Sequence, residues 1–199
     1  MSKSVLRYLS HPQVQIDPAV EITQWSLNAV GQARIDALVA VAADRLSDTT
    51  AVFSSPERKA RDAPTPISQA LGLDQRIAPN SYENDRSSTG YLPPAEFEET
   101  ADAFFAHPSD SIRGWERAID AQTRILGSVK HALREAPEGD VLIVGHGAVG
   151  TLLFCAAKGY PITRAYDQGP GGGGSLLIFD RETLEINTEW QSLDTLFLL

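Results

Sequence analysis

A chain of 199 residues is long enough for one domain with a substantial core, and the expectation is a single domain over residues 1–199. Its 17 Lys and Arg against 26 Asp and Glu leave a net charge of -9, which excludes a broad surface for a phosphate backbone and sets nucleic acid aside as a partner. Cys155 is the only cysteine, so neither an internal disulfide nor a cysteine metal cluster can form, and a reducing, cytoplasmic setting is expected.

Taken in chain order, residues 5–9 make a short strand closed by Ser10-His11-Pro12, where the proline biases His11 toward extended backbone. Residues 1–10 contain no apolar core of signal-peptide length, so export by that route is not expected. Residues 28–46 have helical periodicity, with Ile35, Leu38, Val39, Ala42 and Leu46 on one stripe. Residues 50–54 read as a second strand. Ser54-Ser55-Pro56 then opens a helix that carries Arg58, Lys59 and Arg61, and Pro64 and Pro66 break or re-aim it before residues 67–71.

Residues 74–113 are polar and punctuated by proline, and are expected to form an insertion or lid instead of a core element. The segment Ser81-Tyr82-Glu83-Asn84-Asp85-Arg86 is its most functional-looking part. Residues 115–135 form a second amphipathic helix, with Trp115, Ile119, Gln122, Leu126, Val129 and Leu133 at helical spacing. Beyond it, four apolar residues, 141–144, read as a strand of a parallel sheet that ends at Gly145-His146-Gly147, with a helix over 148–157. The stretch 141–157 is short for a membrane span and contains His146, so no membrane association is expected. A glycine-rich loop at 169–174, a strand at 175–180 and an alternating edge strand at 184–190 complete the chain.

Two readings compete at His146. Gly145-His146-Gly147-Ala148-Val149-Gly150 spells the G-x-G-x-x-G of a dinucleotide turn, with Asp167 near the place of a ribose-binding acid. However, 159–161 makes a poor second strand, and too little chain remains to build such a domain. The other reading starts from two strands that each end in a histidine and a third followed by cations near a helix start. That arrangement suits a phosphoryl group: one neutral imidazole attacks phosphorus, and the other steadies charge on the equatorial oxygens. A carboxyl group from a loop above would protonate the leaving oxygen.

At these residues the chain resembles the histidine phosphatase superfamily, the phosphoglycerate-mutase-like proteins. Ser54-Ser55-Pro56-Glu57-Arg58-Lys59-Ala60 looks like the family's Ser-Pro-x-x-Arg-Ala segment, and Val144-Gly145-His146-Gly147 looks like its second histidine motif. Trp25-Ser26-Leu27, with Gly31 and Ala33, looks like the segment before its first helix. The resemblance implies a three-layer α/β/α sandwich around a mostly parallel sheet and a phosphohistidine intermediate, with no cofactor and no obligatory metal. It makes His11 the nucleophile, His146 the transition-state donor, Glu83 the proton donor with Asp85 second, and Gly147 a backbone donor to the phosphate.

The first motif departs from the family. Its Arg-His-Gly appears as Ser10-His11-Pro12, and Lys59 stands where a second arginine is usual, so a planar clamp becomes a single ammonium. Ser10 and Lys59 are the phosphate contacts expected at those two positions. Arg58, Arg86 or Arg7 would supply the missing guanidinium, with Arg86 preferred because it shares a loop with Glu83. The function implied is a phosphomonoester hydrolase for a phosphorylated small molecule or phosphoprotein. The alternative is a member that has lost most catalysis and binds a phosphorylated ligand as a regulatory module.

Overall fold

A computed structural model describes residues 3–197. Six strands, β1 (Val5–Ser10), β2 (Thr49–Ser54), β3 (Gln75–Ile77), β4 (Asp140–Gly145), β5 (Ser175–Asp180) and β6 (Gln191–Ser192), form one sheet in the order β3-β2-β4-β1-β5-β6. The pairs β2–β3, β2–β4 and β1–β4 are parallel, while β5 and β6 are antiparallel additions at one edge. The helices are α1 (Ala29–Arg45), α2 (Arg58–Asp62), α3 (Pro64–Leu71), α4 (Pro94–Ala106), α5 (Ala118–Glu135) and α6 (Gly147–Lys158).

Strand periodicity explains the layers. Successive side chains point to opposite faces, so each central strand feeds two cores. Tyr8, Phe53, Ile143 and Leu177 pack with Ile125, Leu152 and Phe154 on the α5–α6 side. Leu9, Val52, Leu142 and Leu176 pack with Ile35, Leu38 and Ile67 on the α1–α3 side. Both faces are therefore covered, which is why β4 is apolar from Val141 to Val144 and not alternating. The result is the expected α/β/α sandwich around a mostly parallel sheet.

Three segments differ from the expectation. The stretch 74–113 is not simply a lid: it supplies β3 to the sheet edge, and α4 buries Phe104 and Phe105 in the main core against Trp115. Its polar average concealed a helix whose apolar residues cluster on one face. Phe104→Ala is accordingly expected to cost about 3–5 kcal/mol of stability, read from the midpoint of denaturant unfolding. A cost below about 1 kcal/mol, the size of ordinary surface changes, would return α4 to the role of a loose cover.

The second difference is one of phase. The helix begins at Ala118, and its buried stripe is Ala118, Ala121, Ile125, Val129 and Ala132, so Ile119 is exposed. Trp115 is instead a buried anchor before the helix, with its Nε1–H donating to Thr89 Oγ1 at 2.9 Å. The third is residues 184–190, which alternate like a strand but do not pair as one. Asp180 Oδ1 accepts the N–H groups of Glu182 and Thr183 in a tight turn, and Leu184 has a φ of 58°. Ile186 fills the core from this irregular segment, and pairing resumes only at β6. Pro64 does interrupt the cationic helix, by opening α3 in the first turn, where its missing N–H is not needed.

Candidate active site

The site lies at the carboxyl edge of three neighbouring parallel strands. Ser10 of β1 pairs with Gly145 of β4, and Ser54 of β2 pairs with Val144, so His11, His146 and Ser55 emerge side by side. His11 N–H donates to Gly145 O and Ser55 N–H to Val144 O, which extends both ladders one residue past the strands. The two imidazoles meet edge to face, with ring centroids 5.2 Å apart.

Each ring has one nitrogen engaged. His11 Nδ1 lies 2.9 Å from Pro12 O, so it carries the proton and leaves Nε2 as the bare nitrogen. His146 is fully buried, with Nε2 2.7 Å from Ser55 Oγ, while its buried Nδ1 has no hydrogen-bond partner. Burial, followed by the Lys59 cation, lowers the His11 pKa to about 4. Burial also holds His146 well below its ordinary value, against the pull of Glu57. Both rings are neutral at neutral pH.

Glu83 sits at the start of α6. Its Oε1 accepts N–H groups from Val149 (3.0 Å) and Asn84 (3.1 Å), and its Oε2 accepts Ala148 N–H at 3.2 Å. It therefore caps the helix that follows His146, and Gly147 N–H is left out of that cap. Burial raises the Glu83 pKa, an effect that the neighbouring Arg86 charge and the N–H donors only partly offset.

The predicted cations separate. Arg86 stands with the histidines: its charge bears on both rings, and its guanidinium lies 4.9 Å over Phe97. Among the described residues it has no ion pair and no side-chain hydrogen bond. Lys59 is close to His11 but committed elsewhere, with Nζ 2.5 Å from Glu57 Oε2 and 2.9 Å from Ile22 O. Arg58 is not part of the cluster; it is half-exposed and pairs with Asp62 one turn along α2. Arg7 lies at the opposite end of the sheet, paired with Asp140.

The Ser10 hydroxyl, expected as a phosphate contact, is also committed within the protein. It donates to Gln168 Oε1 at 2.5 Å and accepts from Ser175 N–H, tying β1 to β5 and the glycine-rich loop. The glycines of the apparent dinucleotide turn serve packing instead: a side chain at Gly145 would strike Tyr8, and one at Gly150 would strike Tyr8 and Trp190. Asp167 accepts from Thr151 Oγ1 and Gln168 N–H.

Three residues were missed by sequence reasoning. Glu57 is buried between Lys59 and His146, 3.6 Å from His146 Nε2, and accepts Glu83 N–H at 2.8 Å. Burial opposes its ionisation, yet His146, Lys59 and the Glu83 N–H hold its carboxyl at about 2. Ser55 fixes the His146 ring. Gln168 packs its amide onto Gly147, where an added Cβ would fall 2.2 Å from Nε2. Only Glu57 carried a signal, as a carboxylate two residues from a lysine at a strand end.

A cleft of about 630 Å³ is lined in part by Glu57, Glu83 and Arg86, which border the histidine pair, although neither imidazole lines it. Among the described residues no group of three or more His, Cys, Asp or Glu is arranged to hold a metal ion, and no helix is long and apolar enough to cross a membrane.

Two histidines at adjoining parallel strand ends, on an open sheet covered by helices on both faces, define a phosphoglycerate-mutase-like α/β protein. A model of the histidine phosphatase superfamily (branch 1) matches residues 17–188, and the chain belongs to that superfamily. The matched stretch contains Lys59, Glu83, Arg86 and His146, while His11 precedes it. The fold is similar to that of a mycobacterial glucosyl-3-phosphoglycerate phosphatase in complex with inorganic phosphate, at 21% identity and a TM-score of 0.74, over 95% of this chain and 98% of that one. It is also similar to Bacillus stearothermophilus YhfR (20% identity, TM-score 0.71, 94% of this chain and 96% of the other). Alpha-ribazole phosphatase from Shigella flexneri aligns at 16% identity and a TM-score of 0.67, again over 94% and 96% of the two chains. At these identities the likeness establishes the fold alone. No curated protein matches the chain in sequence.

Proposed function

We propose that the protein is a phosphomonoester hydrolase that works through a phosphohistidine at His11. The observation that carries this reading is the facing pair of neutral imidazoles, one of them with Nε2 bare because Nδ1 is held by Pro12 O. His11 Nε2 attacks phosphorus as the ester P–O bond breaks. The leaving oxygen takes a proton from Glu83, whose raised pKa keeps a proton within reach. Oε2, with only its 3.2 Å contact, has the room to carry it. Water then attacks phosphorus, forming a new P–O bond as the P–N bond breaks with its electron pair returning to Nε2; one water proton goes back to Glu83, and inorganic phosphate and neutral His11 result. The unpartnered Nδ1 of His146, the Gly147 N–H and Arg86 are the donors assigned to the phosphoryl oxygens.

Hydrolysis of a phosphorylated small molecule or phosphoprotein, with an acid-labile phospho-adduct on the protein, tests this reading. Neither turnover nor adduct on a broad panel of phosphomonoesters would overturn it. One observation favours the second reading, a weakened member that binds a phosphorylated ligand. The Lys59 ammonium is already engaged by Glu57, and Ser10 by Gln168, so Arg86 is the one uncommitted cation assigned to the phosphate. Phosphate retained by a folded protein without turnover would point there.

Arg86→Ala is expected to weaken inorganic phosphate or vanadate binding by roughly 10- to 100-fold, the range for one charge-assisted contact. Arg58→Ala should leave that affinity unchanged. Calorimetric titration compares the two, and equal affinities would remove Arg86 from the site.

A further inference from the structure

The cleft is far larger than a phosphoryl group and shares Glu57, Glu83 and Arg86 with the surroundings of the histidine pair, so it has room for the remainder of a substrate. Its charges are lopsided. Arg86 is the single Lys or Arg in its lining, and it stands at the boundary with the histidines. The same wall includes Glu21 and Asp85, both exposed, together with Val20, Ile22 and Tyr91. The nearby Lys59 is bound by Glu57, and Arg124, stacked on Tyr82, is bound by Glu116. A second anionic group on a substrate would find those carboxylates and, among the described residues that line the cleft, no second Lys or Arg.

We infer that this cleft selects phosphomonoesters whose leaving group is uncharged or cationic with an apolar body, and rejects those carrying a carboxylate or second phosphate. The inference rests on the phosphoryl site proposed above. Arg86 receives the dianionic phosphate, and the carboxylates outside it set which charge the leaving group can carry. At the dielectric of a protein surface, one unit charge several ångströms from a carboxylate is worth enough to shift kcat/KM by tenfold or more. Added salt screens the effect.

Three aryl esters test it: phenyl phosphate, para-(aminomethyl)phenyl phosphate and para-carboxyphenyl phosphate share a ring and similar leaving groups but differ in charge. The carboxylated ester is expected to have a kcat/KM at least about tenfold below phenyl phosphate, with the aminomethyl ester equal to it or better. The spread should narrow in the Glu21→Gln/Asp85→Asn variant and, for the wild type, at high salt. Turnover of all three at similar rates, or a preference for the carboxylate, overturns the inference and leaves the phosphatase standing. The matching benzylphosphonates, titrated by calorimetry, separate the two claims where no ester turns over. The same affinity order then supports the cleft's selectivity while the hydrolase reading fails, and no discrimination overturns both.

Discussion

His11→Ala is expected to abolish turnover, by on the order of 10⁴-fold or more, as removal of a nucleophile from a cooperating catalytic group does. It should also erase the acid-labile adduct. The fold should survive, because the ring is only partly buried and its hydrogen bond runs to the carbonyl of the next residue. Residual activity above about one per cent, far more than removal of a nucleophile leaves, would place the nucleophile elsewhere. The same imidazole gives the pH dependence. It must be neutral to attack, so kcat/KM should rise as pH increases through about 4, and for esters that need a proton on the leaving oxygen it should fall again as Glu83, whose pKa burial raises, loses its own. Stability has the same sign as the rise. Between about 4 and the ordinary value of 6.5 the unfolded chain holds a proton on His11 that the folded protein does not. Stability from this group is therefore complete above 6.5 and declines as pH falls through that window. His146, buried and neutral, adds to the slope.

Glu83→Gln carries the second large effect, and it has two separable parts. Loss of the proton donor should slow esters with poor leaving groups by roughly 10²- to 10⁴-fold. Activated aryl phosphates, whose oxygen departs without help, should be spared at the first step. The slope of log rate against leaving-group pKa is the measurement, and a uniform loss across the series would sink the acid assignment. The structural part arises at α6. A glutamine oxygen still accepts Val149 and Asn84 N–H, but its amide nitrogen then faces the Ala148 N–H, donor against donor. That should lower stability by about 1–2 kcal/mol. Chemical denaturation and kinetics on the same preparation distinguish the two parts.

The fold was largely legible because its central strands are apolar on both faces and end in chemically distinctive residues. His11 and His146 could be brought together on paper, since two parallel strands that each end in histidine place them at one edge. What sequence could not show was direction. Ser10 and His11 are adjacent, yet on an extended chain they face opposite ways, so one meets Gln168 and the other meets His146. Arg58 and Lys59 show the same limit on a helix, where a step of one residue separates the solvent face from the site. The face of α5 was read in part: Leu126, Val129 and Leu133 do pack on the core, but Ile119 is exposed, and alanines, which carry little hydrophobic signal, form much of the fully buried stripe. The α4 core contacts were hidden in a segment rich in acid and proline. Glu57 was legible as a residue but not as a partner, because its contacts come from three separate parts of the chain.

The position of β1 has a consequence for how activity begins. This strand is the first of the sheet to be made, yet it is inserted between β4 and β5, with Val5 N–H bonded to Asp140 across 135 positions. Closing so long a loop precedes any reward from pairing, and such non-local contacts form late and slowly. His11 is thus made well before His146 and has no partner imidazole until β4 has followed. Assembly of the sheet and assembly of the proposed reaction centre are one event, and a chain that lacks β4 has one histidine of the pair without the other.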